Sequence, residues 1–339
     1  MRQVMLTCME FFTLNGAQVS RVGLGTWAIG GLEWGEVSEQ DAVATCLAMF
    51  DHGINLMDTA PIYGHGRSEA IISKAIREHG DRTKFYVATK AGLEWNDEGV
   101  FANSTPARLR QELEDSLRRL GTEYIDLYQV HWPDTTAAIE ETAEVMRLMY
   151  EEGKIRAIGV SNFSSAQMEA FRKVAPLHAN QPPYNIFERE IDDDVRPYCR
   201  EQGIAVLTYS SLCRSLLGGR LTAETRFAEG DIRREDPKFQ QPRFAQYLRA
   251  VARLEAFARE SFGKSVLELA LRWVLDREGV SAALWGAKRP DQLEALEGVL
   301  GWHLDEEAMR EVDAIVRESV TDPVGPEYLT PGVRKVTAG

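Results

Sequence analysis

Short, continuous apolar runs alternate with amphipathic stretches along most of this chain. The opening stretch FFTLNGAQVSRVGLGTW (residues 11–27) predicts a hairpin, because Asn15-Gly16 supplies a turn in which both residues tolerate positive φ. After it, INLMD (54–58), KFYVATK (84–90), IDLYQVH (125–131), IRAIGV (155–160), a short segment near Asn180, IAVLTYS (204–210) and AALW (282–285) read as strands. Their brevity and lack of polar alternation suit strands covered on both faces.

The stretches between them carry helical spacing and end signals. Ser38 caps a helix with Asp41 three residues on, Val43, Cys46, Leu47 and Phe50 on its apolar stripe, and Gly53 at its end. Ser68 is expected to start the next, with Ile71, Ile72, Ala75 and Ile76 turned inward and Gly80 closing it. Thr105-Pro106 opens a third, whose Leu109, Leu113, Leu117 and Leu120 share one side before Gly121. Further helices are predicted over 138–152, from Ser164, and over 192–202, 243–261, 265–278, 290–299 and 305–318; Ser265 and Glu268 form a capping box.

Eight strand–helix units follow the hairpin. Such alternation implies a parallel sheet, and eight units imply closure. The predicted fold is α/β, a (β/α)8 TIM barrel with an N-terminal β-hairpin and long loops at the C-terminal face. Residues 9–321 form this single barrel, residues 1–8 read as a disordered extension ahead of Met9, and 322–339 as a Pro/Gly-rich tail without a helix. One segment breaks the rhythm. Residues 212–242 carry Gly, Pro and the arginines 214, 220, 226, 233 and 234, and a loop this long is a lid or disordered.

Composition narrows the partners. A formal net charge of −13 over 339 residues argues against nucleic acid and anionic membrane surfaces, while leaving room for a local basic patch. No apolar run reaches the length of a membrane span, and the start lacks a signal peptide's apolar stretch. Cys8, Cys46, Cys199 and Cys213 show no metal-ligand or redox spacing, which points to a reducing cytoplasm and to no metal.

Three patterns invite misreading. Gly23-Leu24-Gly25-Thr26-Trp27-Ala28 fits a loose dinucleotide motif but runs on into what reads as loop, not helix. Tyr150 and Lys154 have the spacing of a catalytic pair, yet Gly153 between them ends the helix. Asp192, Asp193 and Asp194 precede a helix, where acidic residues complement its dipole.

The candidate chemistry lies at strand ends. Asp58, Lys90 and His131 each close an apolar run, and Tyr63 follows the first in the turn DTAPIYGHG. In a parallel barrel the C-terminal strand ends face one cleft. Reduction of a carbonyl by hydride needs a proton donor for the oxygen. Tyr63 can be that donor, with the Lys90 ammonium expected to lower its pKa, Asp58 to keep Lys90 charged, and His131 to orient the substrate oxygen. The hydride must come from a cofactor.

With those residues in hand, the chain resembles an aldo-keto reductase over essentially its whole length. The carriers are DTAPIYGHGRSE, YIDLYQVHWPD, GKIRAIGVSNFS and TYSSLCRSLLGGRL. WGAKRPDQLEAL and DPVGPEYL resemble a bacterial branch that includes a Bacillus general stress protein and NADP-dependent glycerol dehydrogenases of acetic acid bacteria. The resemblance implies NADP(H) lying across the barrel mouth. It implies Ser161, Asn162 and Gln181 at the nicotinamide amide, Tyr209 against its ring, and Gly25, Thr26, Trp27 and Asp58 near the reacting ends. It implies Ser210, Ser211, Leu212, Arg214, Leu217 and Gly219 around the pyrophosphate, and Gly286, Ala287, Lys288, Arg289 and Gln292 around the 2′-phosphate. Ser211 and Trp285 each replace a usual family proline; Gln292 stands at a family Arg or Gln position, and Trp285 is expected near the site wall or the cofactor.

Trp27, Trp34, Trp95 and Trp132 are expected to rim the substrate pocket with Tyr63 and His131. The implied partners are small aldehydes, ketones or polyols such as glycerol, handled by a cytoplasmic monomer. The alternative is a non-catalytic, cofactor-binding regulatory subunit of the same fold, which the complete tetrad disfavours.

Overall fold

Strands β3 (Val22–Gly25), β4 (Leu56–Asp58), β5 (Tyr86–Ala91), β8 (Leu127–Val130), β9 (Ile158–Ser161), β10 (Ala179–Gln181), β11 (Ala205–Thr208) and β12 (Val280–Gly286) close into an eight-stranded parallel barrel in the computed structural model. The structure describes residues 9–97 and 99–334, so the extension expected over 1–8 lies outside the described residues. Closure runs through β12, where Leu284 pairs with Gly23 and Gly286 with Gly25. Hairpin β1 (Phe11–Leu14) and β2 (Ala17–Ser20) precedes the barrel. Its Leu14 and Val19 join Leu56, Tyr86, Ala88, Leu127, Leu207, Ala282 and Leu284 in one buried cluster. The hairpin therefore plugs the barrel, and small side chains on several strands keep that interior closely packed.

The one-turn α1 (Trp27–Gly30) lies at the barrel mouth, and the outer layer is formed by α2 (Glu39–Ala48), α3 (Arg67–His79), α4 (Pro106–Leu120), α5 (Ile139–Glu151), α6 (Ser165–Arg172), α7 (Val195–Gln202), α8 (Arg243–Phe262), α9 (Val266–Asp276) and α10 (Glu306–Ser319). Their apolar stripes bury against the outward faces of the strands in a second, larger cluster. Ser38 and Ser265 cap as expected. Among the described residues no helix is long and apolar enough to cross a membrane.

Several expectations are corrected. Ser68 is not a cap: helix α3 starts after Gly66, and the Ser68 hydroxyl donates to Thr26 Oγ1 at 2.7 Å. The segment after β3 is not all loop, since α1 gives one helical turn there. The glycines of the loose dinucleotide motif serve the barrel. A Cβ on Gly23 would fall 2.7 Å from the Leu56 side chain inside it. The 290–299 segment is a 3-10 helix over Pro290–Gly298. Trp285 does not touch the site wall; it is buried in the outer cluster, because its neighbour Leu284 takes the inward position and strand side chains alternate.

Two loops were not foreseen in form. Hairpin β6 (Leu93–Asn96) and β7 (Gly99–Ala102) follows β5 directly and stands over the barrel mouth. The tail returns to it, with Gly332 N donating to Val100 O at 2.9 Å. The 212–242 segment holds three 3-10 turns around a buried ionic group. There Arg214 pairs with Asp236 at 2.6 Å and with Glu188, and Lys238 pairs with Glu188 at 2.8 Å. Two cations against two anions leave the group neutral, the condition under which such charges are tolerated inside.

Candidate active site

The C-terminal ends of β4, β5 and β8 bring Asp58, Lys90 and His131 together, and the turn after β4 adds Tyr63. That turn is fixed by a close backbone approach. Gly64 sits at φ +63, and a Cβ there would lie 2.3 Å from Gly30 O, so only glycine lets the two loops touch.

Lys90 is buried, and its ammonium has three donors. They go to Asp58 Oδ1 at 2.6 Å, Thr59 O at 3.0 Å and Tyr63 Oη at 3.3 Å. The other Asp58 oxygen accepts from Gln181 Nε2 at 2.7 Å and Gln129 Nε2 at 3.4 Å. Since Tyr63 Oη accepts from Lys90, the phenol's own proton is free to point elsewhere. Trp27 stacks on the Tyr63 ring at 6.0 Å between centroids, and His131 meets it edge-on at 6.0 Å.

The electrostatics differ from the expectation of an acidified tyrosine. Burial, then the Asp58 and Glu33 carboxylates, hold the Tyr63 phenol well above its ordinary value. Burial is the largest cause, and Asp58, paired with Lys90 at 2.6 Å, adds to it. Burial also pulls Lys90 down, against the opposing pull of Asp58. Burial and then Lys90 push His131 well below its usual range, which leaves a neutral imidazole that can donate one hydrogen bond.

Two cavities meet at this cluster, sharing Trp27, Tyr63 and Tyr209. The larger, about 470 Å³, is lined by His131, Trp132, Ser161, Asn162 and Gln181 on the barrel side. Its outer wall comes from Glu33, Leu93, Val100, Glu235 and the tail residues Tyr328 to Gly332. The narrower one, about 170 Å³, runs past Gly25, Thr26, Asp58, Ser210, Ser211, Leu212 and Arg214 to Gly286, Lys288 and Gln292.

Several candidates sit differently from their expected setting. Trp34 lines the narrower cavity, and Trp95 lines neither, stacking on His65 at 4.8 Å. Leu217, Gly219, Ala287 and Arg289 also line neither; Leu217 and Ala287 are buried, and Arg289 pairs with Asp291 at 3.1 Å. The Arg214 side chain is engaged by Asp236, Glu188 and Ser210. Gln181 Nε2 is directed at Asp58, and Asn162 Oδ1 accepts from Tyr209 Oη at 2.9 Å. The decoys are structural: Asn15 Nδ2 donates to Tyr150 Oη at 3.2 Å, Lys154 pairs with Glu114 at 2.5 Å, and Asp192 pairs with Arg196 at 2.8 Å.

Sequence reasoning missed Gln129, Glu33, Glu235 and the tail wall. Gln129 lies two residues before His131 on β8, so strand alternation could have found it. Nothing local marks the others.

This geometry has relatives. The sequence pattern of the Aldo/keto reductase family matches residues 21–317. The chain belongs to that family. It is 52% identical to the aldo-keto reductase YhdN of Bacillus subtilis (strain 168) over 329 residues, covering 96% of this chain and 99% of that one. It is 33% identical to the NADH-specific methylglyoxal reductase of Escherichia coli (strain K12), covering 87% and 94%. Among solved structures it resembles the glycerol dehydrogenase AKR11B4 of Gluconobacter oxydans at 48% identity, with a TM-score of 0.85 over 93% of this chain and 98% of that one. This aldo-keto reductase is thus an oxidoreductase acting on carbonyls, in a family that uses nicotinamide cofactors.

The lining of the narrower cavity fits such a dinucleotide. At one end Lys288 is half-buried, and burial, then the neighbouring Arg233, push its ammonium down, with Arg289 adding to them. A cationic end in that state gains from an anion such as a phosphate. Lys288 Nζ donates to the Trp34 carbonyl, a contact that must break before the ammonium can meet one.

Proposed function

We propose that this aldo-keto reductase interconverts small carbonyls and alcohols with NADP(H), with Tyr63 as general acid in reduction and general base in oxidation. The observation that carries this is the direction of the Lys90–Tyr63 hydrogen bond. Lys90 donates to Tyr63 Oη where the two cavities join, so the phenolic proton is available to a substrate oxygen in the larger one.

The nicotinamide, when bound, supplies the hydride in reduction and takes it in oxidation. The chain does the rest. Neutral His131 donates to the substrate oxygen and holds it near Tyr63 Oη. Tyr63 delivers its proton as charge develops on that oxygen, and Lys90 stabilises the phenolate left behind. Asp58, held by Gln181 and Gln129, keeps Lys90 in place. Trp27, Trp132 and the tail exclude water from the cavity.

For the cofactor, Ser161, Asn162 and Tyr209 would meet the nicotinamide end, the 210–215 backbone the pyrophosphate, and Lys288 the 2′-phosphate. Lys288 supports NADP over NAD, although the E. coli relative is named as NADH-specific. The Gluconobacter neighbour's name supports a polyol such as glycerol in oxidation, and glyceraldehyde-type carbonyls in reduction. Cys46, Cys199 and Cys213, buried and unpaired, support a reducing cytoplasm.

The test is NADPH oxidation with DL-glyceraldehyde by the wild-type chain and by Tyr63→Phe. The variant should lose about 10²–10⁴-fold in turnover, the usual worth of a positioned general acid, while NADPH still quenches protein fluorescence. Near-normal turnover by the variant would remove Tyr63 from the role. Cofactor binding without turnover of any aldehyde by the wild type would favour the regulatory alternative.

A further inference from the structure

The two cavities carry opposite charge. The narrower one ends in Lys288, with Arg233 and Arg289 nearby. The larger one is lined by two carboxylates, Glu33 and Glu235, and by no lysine or arginine among the described residues. Three cations near it are paired with anions. Lys90 is held by Asp58 at 2.6 Å, Arg233 by Asp231 at 2.6 Å, and Arg334 lies 3.9 Å from Asp134.

Glu33 is built into the site. Trp27 Nε1 donates to Glu33 Oε2 at 3.2 Å, and Trp27 is the ring stacked on Tyr63. The Glu33 field reaches the reacting group, since it helps raise the Tyr63 phenol. The second Glu33 oxygen and the Glu235 carboxylate, exposed at the rim, accept no hydrogen bond from the described residues. A substrate bearing a carboxylate would therefore meet like charge and no counter-ion. A neutral substrate bearing hydroxyls would meet free acceptors. Repulsion of the wrong ligand is as effective a source of specificity as attraction of the right one.

We propose that Glu33, supported by Glu235 at the rim, sets the charge selectivity of the substrate cavity, admitting neutral hydroxylated carbonyls and rejecting those that carry a carboxylate. This rests on the oxidoreductase reading above and names the substrate class of that same site. Glutamine at position 33 keeps an acceptor for Trp27 Nε1, removes the charge and turns the second oxygen into an N–H donor. Its effect on Tyr63 acts on every substrate alike and so cancels in a ratio.

The experiment compares glycolaldehyde with glyoxylate, two-carbon aldehydes differing in hydroxymethyl against carboxylate. NADPH oxidation is followed for wild type, Glu33→Gln, Glu235→Gln and the double variant. The wild type should strongly prefer glycolaldehyde. The double variant should move the ratio of kcat/KM toward glyoxylate by about tenfold, with Glu33→Gln contributing most, and added salt should shrink the difference between variants. A ratio unchanged in all variants, with glycolaldehyde still turned over, overturns the charge assignment and leaves the oxidoreductase reading intact. Failure of the wild type to reduce either aldehyde or any of a wide panel overturns both.

Discussion

Lys90 Nζ lies 3.3 Å from Tyr63 Oη, yet the phenol beside that ammonium is held above its ordinary value rather than below it. Proximity to a cation is not the same as exposure to its field. Burial of the phenol is the largest cause of the rise, and Asp58, at 2.6 Å from the same ammonium, adds to it. The pair holds the tyrosine through the Lys90 hydrogen bond, and in the proposed mechanism it would face the phenolate.

A pH prediction follows from the sign of that shift. A phenol above its ordinary value of about 10 stays protonated through neutral and mildly alkaline pH. Reduction needs the protonated form, so its rate should be flat over that range as far as Tyr63 is concerned. Alcohol oxidation needs the phenolate, so kcat/KM should rise about tenfold per pH unit toward pH ~10 without levelling off. A plateau near neutrality in the oxidation profile would show an acidified phenol instead.

Lys90→Met should separate stability from catalysis. Removing one partner of a buried ion pair leaves an uncompensated charge and costs about 3–5 kcal/mol. Adding Asp58→Asn should recover most of that loss in chemical denaturation, because the charge is gone. Turnover should remain lost in both variants, since neither offers Tyr63 a cation.

Lys288→Ala should weaken NADPH binding by about tenfold to a hundredfold, the worth of a charge-assisted hydrogen bond, and leave NADH nearly unchanged. Fluorescence titration with both cofactors checks this. Equal losses for the two would take Lys288 off the 2′-phosphate.

Gly64→Ala tests the approach of the two loops. The added carbon would sit 2.3 Å from Gly30 O in a left-handed conformation, so backbone must move. A loss of about 1–3 kcal/mol in stability is expected. Turnover should fall further than stability accounts for, because the displaced turn carries Tyr63. Normal turnover in a stable variant would show that Tyr63 finds its place without this contact.

The strand–helix alternation, most helix ends and the gathering of Asp58, Tyr63, Lys90 and His131 were legible along the chain. Each depends on local chemistry: apolar runs covered on two faces, caps such as Ser265, and functional groups at the ends of strands that a parallel barrel gathers on one side. What sequence reasoning got wrong or missed depended on groups far apart. Ser68 has the look of a cap but hydrogen-bonds Thr26, forty-two positions away. The sign of the Tyr63 shift needed the burial of the phenol and the nearness of Asp58 and Glu33, which come from separate segments. The tail reads as featureless because its partner, Val100, lies on a hairpin far upstream. Glu33 and Glu235 look like any surface carboxylates until the fold sets both on one cavity. Local pattern determines which elements form and which chemistry is on offer. Burial, charge balance and the walls of the cleft are sums over neighbours, and only the assembled barrel supplies the neighbours.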